Sequence, residues 1–368
     1  MVYSLVSQSE RNVFYVRTIG RLLLSAIFLV LTVLLVLAAK YAPALVFSFY
    51  PEFSRKLLSA ISSVTRAIPL AVWELLAGLA VLWLLYTFVR IFTQRRSFLC
   101  WLAGIVLGVC VGLFLFVALW GLNHFGPTVG EQLGLSVREY TKQELTDATR
   151  YYAAQMNALA DDVSRDNQGL ARLSSFEELS KQAGAGYDKL AERYALFTGS
   201  HDPVKKLATW RMFSQFGITG IFVCFTAESC VNPDTYEVWL PFTMCHELAH
   251  RQTVAAEDGA NFCAYLACME NESPEFQYSG AIAAYVYCHN ALYKADKTAA
   301  SEIWQSLKEG VRADIQAANT HYAQYEGKVQ DAATKVNDTY LKAFSEEAGV
   351  QSYGEAADLL IAWYLEKK

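Results

Sequence analysis

Two histidines and two glutamates at fixed spacing are where this chain could do chemistry: Cys245-His246-Glu247-Leu248-Ala249-His250, followed by Glu257-Asp258-Gly259-Ala260-Asn261. On a helix, His246 and His250 lie one turn apart on one face, so both imidazoles can reach a single cation. Zn2+ is the expected cation: it takes nitrogen and oxygen ligands, and its catalytic sites use three protein ligands and leave a fourth position to water. Glu247 is offset from that face, where its carboxylate can accept a proton from the water. The third ligand has to come after the helix turns back. Glu257 is the candidate, opening a second helix in which small Ala260 permits close packing, and Asp258 is held in reserve. The competing structural reading is a helix whose histidines are satisfied by core hydrogen bonds.

These residues need a helix, a turn and a support. Leu240-Pro241-Phe242-Thr243-Met244 supplies the helix start, with Pro241 tolerated in the first turn. Ile218 to Thr226, a β-rich run bounded by glycine, is the only strand expected, and Glu228, Asn232 and Pro233-Asp234 read as a turn-rich link. Tyr140 to Val163 has helical spacing at Leu145, Ala148, Tyr152, Met156, Leu159 and Val163, with a capping box at Thr141 and Glu144. Phe176 to Phe197 reads as another helix. After the motif, helices are expected over Ala256 to Glu270, Pro274 to Ala295, Thr298 to Tyr325, Ala332 to Ala348 and Tyr353 to Lys367.

The first third is of another kind. The chain is 54% hydrophobic, and Leu22 to Ala39, Ala67 to Val89 and Ser97 to Asn123 are long apolar runs whose one charged residue is Glu74. Each can cross a hydrocarbon core of about 30 Å as a helix. The first run is too long, and lacks the small-residue cleavage pattern, for a signal peptide. Arg11, Arg17 and Arg21 before it, and Arg90, Arg95 and Arg96 in the short second loop, are set against Lys40, Arg55, Lys56 and Arg66 in the first loop. The basic residues thus favour an N-terminus inside and residues 124–368 outside the cytoplasm.

Residues 40–66 read as a loop lying at the lipid headgroups, with aromatics beside Arg55 and Lys56 acting as an anchor. Glu74 is either a functional acid in a membrane segment or a residue facing the headgroups. Gly104, Gly108 and Gly112 form a small-residue stripe suited to close helix packing. With a net charge of -5 and no basic cluster interleaved with aromatics in the large domain, nucleic acid is not an expected partner. The eight cysteines have no zinc-knuckle spacing and read as buried thiols, although an outside location permits disulfides. Nothing fixes an oligomeric state.

His246-Glu247-x-x-His250 with Glu257-x-x-Ala260-Asn261 resembles the zincin metallopeptidases, in particular the gluzincin arrangement, whose third zinc ligand is a Glu on the following helix. More of the chain resembles an uncharacterised bacterial membrane family, domain of unknown function 3810. The matching features are the three spans, Trp120-Gly121-Leu122-Asn123, Gly217-Ile218-Thr219-Gly220, Leu240-Pro241-Phe242-Thr243, the metal motif, Tyr340-Leu341-Lys342-Ala343 and Ser352-Tyr353-Gly354. The resemblance implies zinc on His246, His250 and Glu257, with Glu247 as catalytic base. It also implies that Gly220, Ile221, Phe222 and Val223 bind substrate by pairing with an extended chain. Glycine near 253 and an acid at 259 are expected from it, where this chain has Thr253 and Gly259.

The resulting expectation is a mainly α fold: three N-terminal transmembrane helices in residues 1–123, then a predominantly helical zincin-like domain in 124–368 with a small β element before the motif helix. It would be a multi-pass protein of the bacterial cell membrane, embedded in the lipid bilayer, hydrolysing a peptide or protein substrate in the envelope. Of His289, His321, Tyr322 and Tyr340, Tyr340 is chosen as the donor to the reaction's oxyanion, because it lies in the Tyr-Leu-Lys-Ala stretch; His289 reads as a core or surface residue. The rival expectations are a zinc-binding envelope sensor without hydrolysis and a zinc hydrolase of a non-peptide envelope substrate.

Overall fold

The computed structural model describes residues 8–94, 97–343 and 352–368. The chain is mainly helical, and three of its helices are long and apolar enough to cross a membrane: Val13–Tyr41, Val72–Thr93 and Phe98–Leu119. The second starts later than the apolar run because the residues around Pro69 cannot continue a helix. The third stops at Leu119, where Trp120 leads into a short 3-10 turn, Gly121–Phe125. The first and third spans run side by side in the same direction. Arg21 hydrogen bonds to the carbonyl of Cys100 near their starts, Phe28 and Phe114 lie 5.4 Å apart, and Ala39 packs with Val117 at their ends. The glycine stripe does not make that contact. Only Gly104 meets a neighbour, the Arg21 guanidinium, while side chains at Gly108 and Gly112 would meet nothing within 4 Å.

Residues 40–66 depart from the expected headgroup loop. They form two helices, Pro43–Phe47 and Tyr50–Thr65, and the second turns Tyr50, Ser54, Leu58 and Ser62 inward at intervals of four residues. Arg55 is buried rather than anchored in lipid. It donates to the carbonyls of Leu196 at 3.0 Å and Gln252 at 3.3 Å and to the Thr253 hydroxyl at 3.3 Å. Ser62 and Arg66 bind the carboxylate of Asp202 at 2.9 and 3.1 Å. The first loop therefore packs directly on the large domain. Arg55→Met should cost about 1–3 kcal/mol, because it leaves buried carbonyls without a donor. Thermal unfolding of the full-length protein in detergent, with a midpoint lowered by several degrees, is the check.

Glu74 is a structural residue. Its carboxylate accepts the backbone N–H groups of Ala208 and Thr209, both at 2.8 Å, at the start of the helix Trp210–Gln215. Glu228 returns the bond, accepting from the N–H groups of Val72 and Trp73 at 2.9 Å and so capping the second span. An acid at a helix N-terminus satisfies orphan donors and complements the helix dipole. Two carboxylates thus fasten the span to the domain reciprocally.

In the large domain, the helix Lys142–Leu159 starts at the expected capping box and buries Leu145, Ala148, Tyr152 and Met156 against Pro274–Ala295 and Ser352–Lys367. Two expected helices are broken. Phe176 to Phe197 is divided into Phe176–Gln182, Ala185–Ala191 and a 3-10 turn, and Thr298 to Tyr325 breaks between Gln305 and Glu309. The helix Lys328–Ala343 covers the described part of the expected Ala332 to Ala348; residues 344–348 lie outside the described residues. The sheet has three strands where one was expected: β1 (Lys205–Lys206), β2 (Gly220–Val223) and β3 (Glu228–Val231), in the order β1-β3-β2. β3 is parallel to β1 and antiparallel to β2, with Gly220 opposite Val231 and Val223 opposite Glu228. Ala227, at a φ of 50°, closes the turn.

Candidate metal centre

The helix Leu240–Arg251 carries Pro241 in its first turn and the motif in its last two turns. The Nε2 atoms of His246 and His250 are 3.1 Å apart. Beyond Gln252 the chain reverses through Thr253, whose φ of 73° is rare for a β-branched residue. Left-handed backbone favours glycine, the residue the resemblance implied near this position. The Thr253 hydroxyl donates to the Gln252 carbonyl and accepts from Arg55, which holds the geometry without glycine. The reversal brings the carbonyl of Val254 to within 2.8 Å of His250 Nδ1, fixing the proton there and leaving Nε2 to face inward.

Glu257 opens the next helix, Glu257–Glu270. Its carboxylate oxygens stand 3.2 Å from His246 Nε2 and 3.8 Å from His250 Nε2. One atom from each of His246, His250 and Glu257 lies within 4.8 Å of the others, and Asp258 is not part of the group. An acid at 259 has no room, because even a Cβ on Gly259 would come within 2.6 Å of Val129.

These residues fit a cation. Two imidazole nitrogens and a carboxylate form a donor set that suits divalent transition metals. Two further polar atoms, His246 Nδ1 and Glu247 Oε2, are buried without a hydrogen-bond partner. Burial disfavours the imidazolium of His246, but the hydrogen bond and charge of Glu257 outweigh it and raise its pKa. Burial also opposes charge on Glu257, yet the His246 hydrogen bond and the neighbouring imidazoles keep its pKa below the usual carboxylate value. Burial depresses His250 to about 4. The pocket therefore favours the carboxylate of Glu257 and the neutral form of His250, as ligation needs, whereas a proton held on His246 by Glu257 would have to leave when a cation binds.

Glu247 lies on the strand side of the ligands. Its backbone carbonyl accepts from the Ser229 hydroxyl at 2.7 Å, and burial raises its carboxyl pKa to about 8. Gly220 packs directly on this carboxylate, since a Cβ there would stand 2.4 Å from Oε1. Gly220→Ala should therefore displace the Glu247 carboxylate at a cost of about 1–3 kcal/mol, the usual penalty of overpacking, read as a lowered thermal midpoint. Unchanged metal content in the same preparation would show that only the carboxylate has moved.

The four motif residues open into a cleft of about 1360 Å³. Gly220, Ile221 and Phe222 line it, whereas Val223, at the end of β2, does not. Tyr340 and Tyr322 line it too. The Tyr340 hydroxyl is 3.2 Å from His124 Nε2, and that of Tyr322 accepts from the N–H of Tyr236 at 3.2 Å. His321 donates to the carbonyl of Asp234 at 2.7 Å, and His289 sits among Tyr285, Tyr293 and Trp304, both away from the lining.

Among the lining residues to which the sequence assigned no site role are Trp120, His124 and Tyr287. The Trp120 indole donates to the carbonyl of His250 at 2.9 Å, and its ring lies 5.2 Å from that of His124. Burial raises the pKa of Tyr287, and the charge of Glu257 raises it further. A histidine directly after an uncharged apolar run was the available signal for His124. All eight cysteines are free thiols, seven of them buried.

A family model described as "Protein of unknown function (DUF3810)" matches residues 48–361, a stretch that takes in the helix Tyr50–Thr65, two spans and the whole cluster. No curated protein and no solved structure matches the chain.

Proposed function

The chain belongs to the family described as Protein of unknown function (DUF3810), which supplies no reaction, and from the site itself we propose that it is a membrane-anchored, zinc-dependent peptidase. One observation carries this reading: the three converging donors of His246, His250 and Glu257 share a cleft with the buried, half-unpartnered carboxylate of Glu247. Zinc held by these three residues supplies a Lewis acid that polarises a carbonyl and makes water more acidic.

The chain's own groups do the rest. Glu247 takes a proton from the attacking water and passes it to the departing amine, and its raised proton affinity suits both steps. Ser229 and Trp120 fix the backbone carbonyls of Glu247 and His250 and so orient the motif helix. β2 is an edge strand, with no strand on its other side among the described residues, so Gly220 to Phe222 can pair with an extended chain in the cleft. Tyr340 and His124 form a hydrogen-bonded pair able to donate to the oxyanion. The basic residues flanking the spans support an inside N-terminus and, with three crossings, a site on the outer face, and the contacts of Arg55 and Ser62 with the domain are consistent with the first loop lying on that same face.

The test uses the full-length protein in lipid nanodiscs, because Arg55 and Leu58 of the first loop are built into the domain. Zinc-loaded and chelated protein are incubated with a diverse peptide library, and the products are read by mass spectrometry. Products made by the loaded wild type and lost on chelation and in Glu247→Gln are expected. Full zinc occupancy with product profiles identical to those of Glu247→Gln would replace this reading with that of a zinc-binding envelope module.

A further inference from the structure

The cleft begins at the end of the third candidate span. Phe116 belongs to the last turn of the third span, and its ring lies 6.3 Å from that of Tyr340. Trp120, the first residue past that span, is hydrogen bonded to the backbone of His250. Tryptophan at the end of a span sits at the headgroup level, so a ligand of the candidate metal centre is held there as well. The second span reaches the same level, since its first turn is tied to Thr209 through Glu74 and to β3 through Glu228.

Apolar side chains gather around these attachments without protein cover: Leu70 is 57% exposed, Met212 48% and Phe225 47%. Leu70 is two residues before Val72, Met212 lies on the helix begun by Thr209, and Phe225 precedes Thr226, whose carbonyl is bound by Thr65 at 3.0 Å. Exposed apolar side chains near the start of an apolar helix long enough to cross a membrane fit insertion into the interface rather than water.

From that edge the cleft runs between two walls. One is β2, with the main-chain groups of its free edge. The other is the helix Lys328–Ala343, which turns Val329, Ala332, Val336 and Tyr340 to the cleft at helical spacing, although Val336 is 71% exposed. An acyl chain could use the helical stripe but would leave the strand edge without partners. An extended polypeptide with apolar side chains uses both.

We infer that the cleft takes the juxtamembrane segment of a membrane-anchored polypeptide, entering from the bilayer edge past Phe116 and Trp120. This rests on the peptidase reading and specifies its substrate class. The reaction is hydrolysis: the amide C–N bond breaks, water gives its hydroxyl to the acyl carbon, and its proton goes to the amine.

The experiment co-reconstitutes the zinc-loaded, full-length protein in vesicles with peptides bearing one transmembrane anchor. A single cleavable sequence is placed about 4, about 12 or about 24 residues from the anchor, each residue spanning at most roughly 3.5 Å. Cleavage should be fastest at the shortest spacing and fall by roughly 10-fold or more at the longest, following the loss of effective concentration with tether length. Val336→Asp, an exposed change, should slow cleavage at the shortest spacing while zinc content holds. Shortest-spacing peptide left intact while longer ones are cut, or soluble peptide cut as fast as anchored, overturns the inference. If no peptide is cut while zinc is bound, the peptidase reading falls instead. A benzophenone amino acid in place of Val336 then decides docking on its own: photo-adducts with the anchored peptide uphold it, and adducts with lipid only, or none, overturn it.

Discussion

Glu247→Gln in the zinc-loaded protein is expected to lower turnover by about 10²–10⁴-fold, the usual contribution of a positioned general base. The amide has the shape of the carboxylate, so it fits against Gly220, where even a methyl group would collide with Oε1 at 2.4 Å. It cannot take a proton from water. Because Glu247 is not among the three clustered donors, metal content should stay at the wild-type level. Steady-state cleavage and elemental analysis of the same preparations separate these effects, and a variant that loses metal along with activity would make Glu247 a ligand.

The second large effect separates two neighbouring acids. Glu257→Ala should weaken metal binding by more than the 10–100-fold typical of losing a supporting group, since it removes a ligand outright. Asp258→Ala should leave affinity within about 3-fold, a range ordinary for context effects away from the ligands. The basis is positional: the Glu257 oxygens lie 3.2 and 3.8 Å from the two imidazoles, and Asp258 stands outside the cluster. Competition titration with a chromophoric chelator measures both. A greater loss in Asp258→Ala would reverse the assignment.

What could be read from the sequence was what depends on local spacing. The histidines stand four positions apart, and a short turn returns Glu257 to them, so the cluster follows once a helix is granted. The long apolar runs and the capping box at Thr141 are equally local. The surroundings of the site were not legible, because long-range packing makes them. Trp120 and His250 are 130 residues apart in sequence, yet an indole hydrogen bond joins them. Tyr50–Thr65 was read by its aromatics and basic residues as a headgroup segment, when the four-residue spacing of Tyr50, Ser54, Leu58 and Ser62 marks a helix with one buried face. Glu228 looked like a turn residue, since a charged side chain rarely begins a buried strand. Here Lys205 and the first turn of a span neutralise it. Glu74 was left between function and headgroups for the same reason: its partners, Ala208 and Thr209, come from the far side of the fold.

The proposed centre is a metal held by three side chains, and stoichiometry tests that most directly. Full-length protein, purified without chelator, dialysed against trace zinc and measured by elemental analysis, should carry about one zinc per chain, and His246→Ala should carry almost none. Wild-type protein without near-stoichiometric zinc, or His246→Ala retaining it, would contradict the account.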